Sequence, residues 1–240
     1  MTPIAPISSI FSNISKPIQN QVWNGYLSNT IQPTTNVAIL VQTFPWLKDK
    51  SLMSALLELK DLKFDEKEIN YLKNMGVNVP FKSGNEALKC IADKNIRILF
   101  DKPAENDIHA QYDFTKNTVT INSRYKGTND FSVILAICEA ILHEVGHAND
   151  NDGDSSVQEE LDFLGMNVIA HREFLRKYND VFSQSNEPII NDGVSIYEKL
   201  FFDPDPDKKK LINRMKEKYG DLPAGDRLHP PGFLALAIKK

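Results

Sequence analysis

From about Leu52 to Leu62 the chain places Leu52, Ala55, Leu56 and Leu59 on one stripe, the spacing of an amphipathic helix. Asp65 with Glu68, and Ser83 with Glu86, read as capping-box pairs that open two further helices. Gly76 after Met75 stops the first of these, and the second runs to about Ala92. The period then falls to two. Ile96, Ile98 and Phe100 alternate as a strand, and Gln111 to Phe114 and Thr118 to Asn122 form a hairpin around Thr115, Lys116 and Asn117. Phe131 to Ala148 returns to helical spacing but is apolar around most of its circumference, which predicts a buried helix. Another helix follows from about Val157 to Lys177, and Asp205 before Pro206 opens a last one that Gly220 closes. This order predicts an α+β chain: a helical N-terminal region, a small antiparallel sheet packed on the buried helix, and a helical C-terminal region. It divides into a flexible tail over 1–48, a helical region over 49–95 and a main domain over 96–240.

The 240 residues suffice for one substantial core. A net charge of -4 gives no reason to expect nucleic acid as partner. The basic residues Lys208, Lys209, Lys210, Arg214, Lys216 and Lys218 spread around a helix rather than along one face. No apolar run approaches the roughly 20 residues of a bilayer span, so no membrane span is expected. Cys90 and Cys138 both lie among apolar helical residues and read as buried thiols rather than a disulfide. Between Met1 and Lys48 the only charged side chains are Lys16 and Lys48, in a stretch filled with Ser, Thr, Asn, Gln, Pro and Ile. It lacks the basic start and unbroken apolar segment of a cleavable signal peptide.

The chemistry is concentrated inside the buried helix, in Ile141-Leu142-His143-Glu144-Val145-Gly146-His147-Ala148. Histidines four apart stand one turn apart on the same face, so both imidazoles can reach one ion. Glu144 beside the first of them is placed to act on a water at an open metal position. With only five histidines in the chain, two at this spacing beside a Glu are rare by chance. The expected metal is a single Zn2+.

His-Glu-Val-Gly-His in an apolar helix after an antiparallel hairpin resembles the zincin clan of metallopeptidases, in particular bacterial effector and toxin peptidases. The resemblance covers about residues 96 to 180, and only the motif is highly specific. It implies a zinc metallopeptidase, an endopeptidase that hydrolyses a protein or peptide substrate with His143 and His147 on the metal and Glu144 as general base. A third metzincin histidine would fall ten residues after His143, where Gly153 stands, so that branch is excluded. The gluzincin branch takes a glutamate from the next helix, and Glu159 and Glu160 are there. Ser156-Val157-Gln158-Glu159 is a capping box that turns Glu159 back toward Ser156, whereas Glu160 lies on the inner stripe with Val157, Leu161, Leu164 and Val168. Glu160 is the preferred third ligand; Glu159 and an aspartate of the 150–154 loop (Asp150, Asp152, Asp154) stay open. Asp150, Asp152, Gly153 and Glu159 also partly match a calcium loop, with Ala148 at the first ligand position counting against it. Asp162 is a candidate partner for a ligating histidine, and Tyr197, His171 and His229 are the groups available to stabilise an oxyanion.

Similarity to effectors extends to the acid-free leader, which implies a secreted protein exported without a signal peptide, a virulence effector acting in a target cell, with a secretion chaperone on its N-terminal region. Without export the chain would be cytoplasmic. The competing reading is a non-catalytic, zinc-stabilised binding module, which would need a fourth protein ligand.

Overall fold

In a computed structural model the described residues are 40–103, 105, 107–150, 152–179, 181–183, 185–191, 194–202, 208–232 and 237. The leader up to residue 39 and the expected helix start at Asp205-Pro206 lie outside them. The described part is α+β, with eight helices and one three-stranded sheet. Helices α1 (Lys50–Asp61), α2 (Glu66–Asn74) and α3 (Gly84–Asp93) lead into strands β1 (Arg97–Asp101), β2 (Ala110–Asp113) and β3 (Thr118–Asn122). After a 3-10 turn at Ser123–Tyr125 come α4 (Phe131–Asp150) and α5 (Val157–Tyr178). The short α6 (Pro188–Asn191), α7 (Val194–Phe202) and α8 (Lys208–Tyr219) complete the fold.

Local chemistry accounts for the boundaries. Asp49 caps α1 by accepting from the Ser51 and Leu52 amides, and Ser83 caps α3 by accepting from Glu86. Gly76 ends α2 at φ 81, a conformation that glycine adopts without steric cost. Two of the expected capping boxes are only half made. Glu68 turns away from Asp65 to meet Arg172 and Arg176 at 2.7 and 2.9 Å, and Glu86 accepts from the Lys82 amide at 2.7 Å instead. The third, Ser156 with Glu159, is complete.

The sheet has the order β1-β3-β2. Its hairpin is antiparallel as expected, with Tyr112 opposite Val119 and a turn built on Asp113, whose carboxylate accepts from the Thr115 and Lys116 amides. β1 corrects the expectation of a purely antiparallel sheet, because it pairs parallel with β3, Ile98 beside Val119. The chain leaves β1 through residues 102–109 and returns as the far edge strand, which leaves β3 in the middle running in the direction of β1.

Helix α4 packs against α1, α3, α5 and the sheet. Contrary to the expectation from apolar runs, it is by length and composition apolar enough to cross a membrane; 78% of its most apolar stretch is buried in this core. One hydrophobic cluster runs from Leu40 to Met215 across the 95/96 division. Leu40, Phe44 and Leu47 belong to it, at 0%, 2% and 2% exposure. Folded structure therefore begins by residue 40, inside the stretch assigned to the tail. Cys90 and Cys138 are free, buried thiols.

Candidate metal centre

Both histidines of the motif project from the C-terminal half of α4 toward the first turns of α5. Their Nε2 atoms stand 3.3 Å apart. Glu160 faces both, with Oε2 3.3 Å from His143 and Oε1 3.4 Å from His147. These three residues form a group whose ligand atoms lie within 4.8 Å of one another and could hold a metal ion. Glu160 was the preferred third ligand in the sequence, and the inner stripe of α5 carries it there. No fourth His, Cys, Asp or Glu joins the group among the described residues.

Glu159 has a separate task. Its Oε2 accepts from the Ser156 amide to close the capping box, and its Oε1 lies 2.6 Å from His147 Nδ1. One carboxylate thus starts the helix and orients an imidazole. A bond at Nδ1 orients the ring so that Nε2 faces His143 and Glu160, where a bound metal would displace the Nε2 proton. Asp162, the expected orienting group, is directed elsewhere. It accepts from the Asn78 amide and Gln158 at 2.7 Å each and faces His229 at 3.1 Å.

Acidic neighbours set the protonation of the site. Burial opposes a charged His147, but the bond to Glu159 and the charges of Glu160 and Glu144 outweigh it and raise its pKa to about 9. Burial would also lift Glu160, yet the bond and charge of His143, with His147 behind it, hold it down at about 2. Burial raises the Glu159 carboxyl against the pull of His147. Two imidazole nitrogens 3.3 Å apart beside a carboxylate share one proton when no metal is bound and are spaced to share a cation in its place.

Phe163, on α5, supports this arrangement. Its ring meets His143, His147 and His229 edge to face, with centroids 5.7, 4.6 and 5.5 Å away. The glycine of His-Glu-Val-Gly-His makes room for it, since a Cβ on Gly146 would lie 2.8 Å from the Phe163 ring. From α8, Tyr219 stands beside Glu160, and burial together with that carboxylate pushes its hydroxyl pKa well up. Neither residue stood out in the sequence, because each reaches the site only through tertiary packing.

A cleft of about 550 Å³ opens over the triad, and Glu144 lines it beside His143 and His147. Edge strand β2 forms one wall with Ala110, Gln111 and Tyr112, and the half-exposed Phe114 stands at the end near Gly153. Of the three candidate oxyanion groups only Tyr197 lines the cleft. Its buried hydroxyl has no hydrogen-bond partner among the described residues. His171 is buried against Glu139 and Phe182. His229 bridges Asp162 and Asp150, the latter at 2.9 Å, and that contact turns Asp150 away from any calcium-loop role. Asp152 accepts from the Asp154 amide in an exposed turn.

Comparison with protein-family models, with curated proteins and with solved structures returned no match to this chain.

Proposed function

We propose that the chain is a zinc-dependent endopeptidase. The observation that carries this reading is the convergence of His143, His147 and Glu160 on one point of a cleft that also holds Glu144. Two histidines and a carboxylate form a donor set that suits zinc. Donors about 2.0–2.1 Å from one tetrahedral ion stand about 3.3–3.4 Å apart, and the two Nε2 atoms are 3.3 Å apart. Three protein ligands leave a coordination position open, which supports catalysis over a closed structural site. Cys90 and Cys138 do not join the group.

When bound, zinc supplies Lewis acidity that polarises a carbonyl and acidifies a water. The Glu144 carboxylate takes the proton from the water as oxygen attacks the carbonyl carbon. It then delivers that proton to the amide nitrogen as the C–N bond breaks. Tyr197, which lines the cleft with a hydroxyl that has no hydrogen-bond partner among the described residues, is the group to donate a hydrogen bond to the developing oxyanion. Among the described residues β2 is an edge strand of the sheet and lines the cleft, which in this reading places an extended peptide alongside it. Export as an effector is a further proposal, resting on the acid-free composition of the leader alone.

The test pairs zinc content with cleavage of an unfolded protein substrate. The native chain binds zinc and cleaves, while Glu144→Gln keeps the metal and loses about 10²- to 10⁴-fold in rate. Equal cleavage by Glu144→Gln, or none by a zinc-loaded native chain, would sink the peptidase reading.

A further inference from the structure

Along α4 the cleft-lining residues run from Ala136 to Asp150, about 21 Å of helix, so the cleft extends well beyond the triad. Toward the start of α4 its lining includes Ala136, Glu139 and Ala140, within two turns of His143. Ala136 and Ala140 line this pocket with small side chains, and Leu164, Ile189 and Val194 with larger apolar ones. Against these walls lies a carboxylate. Glu139 is 5% exposed and lines the cleft. Its Oε1 accepts from His171 Nδ1 at 2.8 Å. Oε2 has no hydrogen-bond partner among the described residues and is not sealed from solvent, so it opens on the cleft. His171 does not line the cleft, which places the carboxylate between it and the pocket.

We propose that this pocket selects a lysine or arginine side chain next to the scissile bond, with Glu139 reading its charge; this rests on the peptidase reading. The aliphatic stem of such a side chain matches the apolar walls, and its cationic head matches the unpaired oxygen beyond them. A wholly apolar guest would bury Glu139 Oε2 without a partner, and an acidic one would meet like charge. The surroundings act in the same direction. Among the described residues that line the cleft, carboxylates outnumber the one lysine, Lys218. A concave, negatively charged site concentrates basic polypeptides.

Changing charge in the ligand rather than the protein keeps the test independent of folding. Zinc-loaded, cleavage-silenced Glu144→Gln chain is titrated with fluorescent alanine–glycine peptides that differ in one guest residue. Lysine is compared with norleucine, and arginine with citrulline. The proposal expects the charged guest to bind about tenfold more tightly in each pair, and the ratio to fall to about one on adding Glu139→Gln. Equal or tighter binding of norleucine, no binding of any peptide, or a ratio that survives Glu139→Gln overturns it. Cleavage by the native chain is read separately. Cleavage without a preference for basic guests sinks the pocket alone, and the preference without cleavage sinks the peptidase reading.

Discussion

Glu159 and Glu160 are neighbours in the chain with different roles, and the direction of each side chain decides which it has. Glu160 faces both Nε2 atoms, whereas Glu159 reaches His147 from behind at Nδ1. Removing an outer partner of a ligating histidine typically costs 10–100-fold in metal affinity. Glu159→Ala should weaken zinc by about that factor in a competition assay with a chelating dye. It should also lose about 1 kcal/mol of stability through the broken cap. Gly146 is the second residue with a sharp expectation. A methyl group there would meet the Phe163 ring, which packs against both histidines. Overpacking of this kind costs about 1–3 kcal/mol, so Gly146→Ala should lower the urea midpoint of the apo chain and weaken zinc binding. An unchanged midpoint would show that Phe163 is not wedged there.

The last described segment crosses the helices that carry the site. Val157 donates to Pro223 at 2.8 Å and Gly232 to Gln158 at 2.6 Å, which ties residues 223–232 to α5. His229 adds the link between helices, since it bridges Asp150 at the end of α4 and Asp162 on α5. Burial opposes its charge, but the bonds to Asp150 and Asp162 prevail and raise its pKa from 6.5 to about 10. A folded pKa above the unfolded one stabilises the fold fully below the unfolded value. That contribution is therefore complete below pH 6.5 and fades as pH rises toward about 10. The stability difference between the native chain and His229→Gln, from urea titrations at pH 6, 8 and 10, should shrink at each step. A difference that grows with pH would contradict the ion-pair account. The two elements read most closely from sequence were the helices that carry His143, His147 and Glu160, expected to start at Phe131 and Val157 and observed to start there. Their signals are local: an apolar period in α4 and a capping box in α5. The parallel placement of β1 left no such mark, because pairing across residues 102–109 depends on where the chain returns rather than on the strand itself.

For the whole molecule, the core decides what counts as folded. Phe44 was assigned to a tail because the stretch from Met1 to Lys48 is nearly free of charge and rich in Ser, Thr, Asn, Gln, Pro and Ile, yet it is 2% exposed and packs 5.4 Å from Trp46. Phe44→Ala should therefore cost about 3–5 kcal/mol in thermal or urea unfolding, whereas a truly loose segment would cost nothing. The motif residues were legible because the i, i+4 rule places both histidines on one face without any tertiary knowledge. Glu160 was legible through its position on the inner stripe of α5. The orienting role of Glu159, the Phe163 wedge, Tyr219 and the Glu139 pocket were not, because each depends on how α4, α5 and α8 pack. The claim beneath all of these is that His143, His147 and Glu160 hold one zinc ion. The most direct measurement is zinc per chain by elemental analysis after dialysis, for the native protein and for Glu160→Ala. The account predicts about one zinc in the native chain and loss of it in Glu160→Ala. A native chain without zinc, or a Glu160→Ala chain that retains it fully, would contradict the site.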